Sequence, residues 1–212
     1  MSRVLPILFN TDMVKAILRE IKPKTVTRRV IKGFVPKDAI WRYTAFTPKG
    51  YISCRGTFLD GYGRKFFKLP CQPGDILYVR ETWCKSPFTN HYVYRADEYS
   101  LFTQSYDSEI MDDTVWKWRP SIHMPKEAAR IWLKVKNVRV ERLQDITDVG
   151  AEKEGAQPRN PFDYDVNKWP NKEHFKEIWN STIKKSDLEQ YGWEANPWVW
   201  VIEFERCEKP QS

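Results

Sequence analysis

The first stretch able to do chemistry is Lys22-Pro23-Lys24-Thr25-Val26-Thr27-Arg28-Arg29-Val30-Ile31-Lys32, a basic run threaded with hydroxyls and β-branched residues. Its cations suit phosphate contacts, and they equally suit the plain solvation of a strand. A second stretch, Arg80-Glu81-Thr82-Trp83, sets a charged pair in an otherwise apolar run. A buried Arg or Glu requires a partner. The pair either braces its neighbours or lines a pocket with Trp83 as a stacking wall, and both readings stand. Trp116-Lys117-Trp118-Arg119-Pro120, with His123 just beyond, has the aromatic and guanidinium planes of a base-stacking loop. A lone His is more often structural than catalytic. Of the four cysteines, Cys54, Cys71, Cys84 and Cys207, none forms a Cys-x-x-Cys pair. Cys54, Cys71, Cys84 and His91 fit no usual zinc spacing, so reduced structural thiols are expected, with no metal and no cofactor.

Several elements must position these residues. Asn10 and Thr11 cap a helix whose apolar stripe is Met13, Val14, Ile17, Leu18 and Ile21, and Pro23 stops it near Ile21. Lys24 to Ile31 reads as a strand. Residues 33–70 read as a long hairpin insertion. Gln72-Pro73-Gly74-Asp75 is a type II turn launching a buried strand from Ile76 to Trp83. His91 to Arg95 is another strand, and 97–117 an acidic, exposed loop. Ile131 to Glu141 is the longest strand. Its inward positions switch from Ile131, Leu133 and Val135 to Val138 and Val140, which predicts a bulge near Lys136-Asn137. Asp145 to Asp148 caps a short helix ending at Gly155. Residues 157–171 form a Pro/Asn-rich loop, Glu173 to Ile183 a helix, and Trp198 to Phe204 a closing strand.

This order gives an α+β chain in which strands dominate and a closed or nearly closed barrel would hide their edges. The chain has 212 residues, 41% hydrophobic and 15% aromatic, enough for a proper core. A single domain over 1–212 is expected, with insertions at about 33–70, 97–117 and 157–171. No apolar stretch spans a bilayer and the N-terminus lacks a signal-peptide pattern, so no membrane partner and a cytoplasmic location are expected. A net charge of +7 favours polyanionic partners. Ten Trp supply flat platforms for bases, or core filler.

Three segments resemble one family, the ASCH domain. Lys24-Thr25-Val26-Thr27-Arg28-Arg29 is similar to its Gly-x-Lys-x-x-x-x-Arg signature after the first helix. Pro73 to Glu81 is similar to its turn and buried strand. Ile146 to Gly155 is similar to the helix carrying Ala-x-x-Glu-Gly. Trp118 to Pro125 further resembles a subgroup from phage and prophage genomes. One departure is plain: Lys22 stands where the signature has Gly, so the tight turn must be built another way.

The resemblance implies an α+β fold of the PUA-like type, a mostly antiparallel β-barrel with short flanking helices. It implies a cleft recognising a nucleobase, free as a modified nucleoside or within single-stranded RNA or DNA, in a bacterial or phage-infected cytoplasm. Family members include nucleic-acid binders, ribonucleases and amidohydrolases of N4-acetylcytidine. The hydrolases use a Lys, a Thr and a Glu, which fall on Lys24, Thr27 and Glu154. Arg29 falls on the signature Arg, able to hold a phosphate or a base edge with two hydrogen bonds. Arg80, Glu81, Trp83, Trp118, Arg119 and His123 complete the candidate substrate contacts. Two other readings stay open, an amidohydrolase of N4-acylated cytosine and a phage structural or morphogenetic part. The oligomeric state is not legible.

Overall fold

Cooperation between turn chemistry and apolar alternation sets the strand order of this chain. The computed structural model describes residues 2–33, 35–44, 47–86, 89–97, 116–156 and 171–210. In chain order the elements are β1 (Val4–Leu8), α1 (Thr11–Leu18), β2 (Val26–Val30), β3 (Ile40–Arg42), β4 (Tyr51–Phe58), β5 (Gly61–Lys68), β6 (Ile76–Arg80), β7 (Trp83–Lys85) and β8 (Tyr92–Tyr94). They continue with β9 (Trp132–Arg142), α2 (Asp148–Lys153), α3 (Asn171–Thr182), α4 (Leu188–Tyr191) and β10 (Trp198–Cys207). The architecture is α+β, sheet-dominated with short helices. Hydrogen bonding orders five strands as β1-β6-β9-β10-β2, three as β3-β4-β5 and two as β7-β8. Among the described residues these sheets are open and form no closed barrel, and β1 pairs with β6 in parallel.

The chain divides into two compact units. The first comprises Met1–Lys24, Asp75–Lys134 and Glu205–Ser212, the second Thr25–Gly74 and Val135–Phe204. Gly74, the last residue of the second unit's first segment, lies just ahead of β6 at φ +89°, the left-handed conformation a type II turn demands. In the first unit Trp83, Met124, Ala128, Ala129 and Trp132 form a core. The strand expected from Ile76 to Trp83 breaks at Glu81, whose amide points to Met124 Sδ at 3.2 Å rather than into the ladder. The expected α1 stripe is also shorter. The helix ends at Leu18, Ile21 is exposed, and the Lys24 amide returns to satisfy the Ala16 carbonyl at 2.9 Å.

The second unit is built on β10, which is buried on both faces. Val199 and Val201 pack with Val26, Leu143, Phe175, Trp179 and Trp193. On the opposite face Trp198 and Trp200 meet the ring of Trp41, at 5.8 and 6.2 Å. Trp41 belongs to β3, so the three-stranded sheet turns one face to this cluster. The expected hairpin of 33–70 is β4–β5, joined at Leu59 and Asp60. Along β9 both Lys136 and Asn137 are exposed between buried Val135 and Val138, the switch of faces that the sequence predicts. Thr147 caps α2 through the Gly150 amide at 3.1 Å, and Gly155 ends it at φ +93°. Most of the loops expected over 157–171 and 97–117 lies outside the described residues, and Asn171 opens α3 instead of ending the loop. No helix among the described residues is long and apolar enough to cross a membrane.

Candidate functional site

The second unit gathers charge around β2. On one edge β2 pairs with β10, placing Arg28 opposite Val201 and Thr27 opposite Ile202. At its entry the Thr25 amide donates to the Lys153 carbonyl at 2.9 Å, which brings the end of α2 alongside. Glu154 follows as the C-cap of that helix. Its amide bonds the Gly150 and Ala151 carbonyls, and the Ala156 amide returns to Ala151 at 3.1 Å, a closure that only a left-handed Gly155 allows at low cost. The backbone thus fixes where the Glu154 carboxylate stands.

That carboxylate accepts from Arg28 Nη1 at 3.3 Å, and Arg28 Nη2 donates to Glu141 Oε2 at 3.2 Å. The side chains of Arg28 and Glu154 are 3% and 5% exposed. Arg139 continues the chain of charge to Glu141 and Glu203. Arg28 Nε is buried with no hydrogen-bond partner. By strand alternation Thr27 and Arg29 face away from Arg28. Thr27 is 4% exposed. Burial pushes the Arg29 guanidinium below its ordinary pKa, and the Glu154 carboxylate pulls it back up. Glu154 therefore acts on both guanidiniums, one directly and one through space. Around β2 the arrangement sets a fixed carboxylate acceptor and the Arg28 donors on one face, and the Arg29 guanidinium and the Thr27 hydroxyl on the other.

In the first unit Lys24 is 2% exposed, with its ammonium 5.8 Å from the centre of the Phe9 ring. Arg80 donates from Nε to the Met124 carbonyl at 2.9 Å and from Nη2 to the Ile122 carbonyl. Glu81 takes two hydrogen bonds from Arg130, each at 3.0 Å, and Arg130 also bonds Asp97 and lies over the Tyr94 ring. Both charges of the 80–81 pair thus have structural partners. Burial pushes the Glu81 carboxyl up, against the pull of Arg130. Trp83 sits in the core with the Arg119 guanidinium 5.3 Å from its ring centre, and its indole Nε1 has no hydrogen-bond partner. Trp118 stacks on Trp116 at 6.2 Å and carries Arg95 on its ring at 5.1 Å. His123 is exposed.

The structure therefore links Glu154 with Arg28 and with Arg29 in one unit. It places Lys24, Arg80, Glu81, Trp83, Trp118, Arg119 and His123 in the other. Arg28, Glu141, Arg139 and Arg130 carry much of this electrostatics and were not singled out from sequence. Alternating charges on a strand, as in Arg139-Val140-Glu141, are the signal that points to them. The cysteines are free, and burial first, then Asp38, pushes the Cys54 thiol up to about 11. Among the described residues no group of three His, Cys, Asp or Glu is placed to hold a metal ion. No family model matches the chain, and neither does any curated protein or solved structure.

Proposed function

We propose that this chain recognises a nucleobase, as a modified nucleoside or within single-stranded nucleic acid, as the ASCH resemblance and its PUA-like fold imply. One observation carries the reading: the buried Glu154 carboxylate, at the end of α2, is bonded to Arg28 and lies in the field of Arg29, beside the strand β2 that carries both guanidiniums and buried Thr27. Cytosine presents an amine donor beside ring acceptors. A carboxylate accepts from the amine and a guanidinium donates to the acceptors. Titration calorimetry with cytidine, N4-acetylcytidine and uridine tests it. Arg29→Ala should weaken cytidine-type ligands by about 1–3 kcal/mol, the worth of one good base-edge pair. Absence of binding to every nucleoside on the panel overturns the reading.

A second reading rests on the burial of the three residues that match the hydrolase set. Lys24, Thr27 and Glu154 are 2%, 4% and 4% exposed, although Lys and Glu are seldom so buried. In amide hydrolysis a Thr hydroxyl attacks the acyl carbon once a base takes its proton, a Lys stabilises the oxyanion or serves as that base, and a Glu passes a proton to the leaving amine. Water oriented by the Glu then cleaves the acyl-Thr ester, releasing the acid and restoring the hydroxyl. Release of cytidine from N4-acetylcytidine is the assay. Lys24→Ala should abolish turnover. Glu154→Gln should slow it strongly while largely sparing binding, because Gln keeps the shape and cannot move a proton. Full turnover by Lys24→Ala sinks the mechanism.

A further inference from the structure

The three-stranded sheet of the second unit has one face turned to the Trp41 cluster and one face free. Register decides which residues share the free face. Arg55 stands opposite Arg64, Ser53 opposite Phe66, Thr57 opposite Tyr62, and Arg42 opposite Ser53. Directly opposed residues lie on one side of the sheet, and residues two apart along a strand join them. The buried positions Ile52, Cys54, Gly56 and Phe58 occupy the other side; on the free face Ser53 is buried, its hydroxyl donating to the Arg42 carbonyl at 2.6 Å.

The free face carries two large rings, Tyr62 at 71% exposure and Phe66 at 43%. Arg42, Arg55, Arg64 and Lys68 surround them, all exposed. The strand positions of this face include no acid. Asp38 stands at its margin, its carboxylate bonded to the amide and hydroxyl of Thr57. Arg55 and Arg64 are directly opposed across the two strands, a like-charge pairing that weakens a sheet. Exposed rings of this size on a strand also cost solubility. Both features oppose stability, and one ligand chemistry relieves both at once. Phosphates neutralise the guanidiniums, and unpaired bases cover the rings.

We propose that this face binds single-stranded nucleic acid, with Tyr62 and Phe66 as stacking platforms and Arg42, Arg55, Arg64 and Lys68 as the phosphate track. The proposal deepens the nucleobase reading, on which it rests for the class of ligand, by supplying a polymer contact separate from the β2 residues. A duplex keeps its bases paired and stacked, so it offers nothing to the rings.

Fluorescence anisotropy of labelled oligo(dT) and oligo(U), each roughly ten nucleotides long, tests it at low salt. Wild type should bind both, and a preference for one distinguishes DNA from RNA. Tyr62→Ala with Phe66→Ala should weaken binding roughly tenfold or more. Arg64→Ala should reduce the slope of log affinity against log salt by about 0.7, one lost phosphate contact. All these side chains are exposed, so thermal unfolding should hold; Arg64→Glu alone serves if the double variant misfolds, and should abolish binding. Calorimetry with free nucleosides is read in parallel. Sheet-face variants should leave it unchanged, and Arg29→Ala should weaken it, so either reading fails separately. The proposal is overturned if wild type binds no oligonucleotide, if the variants bind as wild type, or if a matched duplex binds more tightly. It is also overturned if sedimentation shows a dimer that the aromatic variant converts to monomer, which makes the face a self-interface.

Discussion

At the scale of residues, Lys22 shows how this sequence solves a turn without glycine. It stands at φ +49°, in the left-handed region that the resembled signature gives to Gly. An L-residue there costs roughly 1–2 kcal/mol. Lys22→Gly removes that strain and adds about 0.5–1 kcal/mol of unfolded-chain entropy, so the variant should melt at or slightly above wild type. Lys22→Val should lose about 1 kcal/mol or more, because a β-branched residue fits that region worst. A Val variant as stable as wild type contradicts this account. The departure was visible in the sequence; that Lys would adopt the glycine conformation itself was not, since single residues do not announce their backbone angles. Glu81 makes a different point. Its carboxyl titrates above the ordinary range, chiefly through burial. Between the unfolded value of about 4.3 and that raised value, the folded state holds more protons than the unfolded one. Stability from this group is therefore present at low pH and falls as pH rises through the window. Glu81→Gln, which does not titrate, should flatten that part of the pH profile in chemical denaturation. The sequence flagged Glu81 as a charge needing a partner. It could not name Arg130, forty-nine residues away.

At the scale of elements, long periodic segments were legible and their ends were not. The helix expected from Glu173 to Ile183 is α3, with Phe175 and Trp179 buried as the spacing requires. Trp179 packs on Phe175 and donates from its indole to the Tyr191 carbonyl at 2.8 Å. Trp179→Ala should destabilise by about 3–5 kcal/mol, and an unchanged melting temperature would place the ring outside the core. The face switch in β9 was readable because period two makes a one-residue slip conspicuous. The early stop of α1 was not, because it depends on the Lys24 amide returning to Ala16, a contact with no local pattern. The candidate site followed the same rule. Glu154 was located by its place before Gly155, whereas its ion pair with Arg28 joins residues 126 apart in sequence.

At the scale of the whole molecule, composition set the class and left the assembly open. A strand-rich α+β chain with short helices was expected and is observed, while among the described residues its sheets stay open. The hairpin expected within 33–70 is present, and the alternation of Tyr62, Arg64, Phe66 and Lys68 with the opposite side is the pattern that makes it two-faced. That hairpin also ends a sheet. β5 is last in the order β3-β4-β5, so no described strand pairs with its outer backbone. Such a margin, flanked by three aromatic side chains, would template stacking of one copy upon another, and Arg64 and Lys68 act against it as gatekeepers. Neutralising them as Arg64→Thr with Lys68→Thr should bring on turbidity and thioflavin-positive aggregates in concentrated samples that wild type resists. Added salt should shorten the useful life of wild-type stocks in the same direction, because it screens the repulsion that keeps copies apart. Storage of this protein is therefore governed by two side chains on one margin, and the favourable buffer is a dilute one.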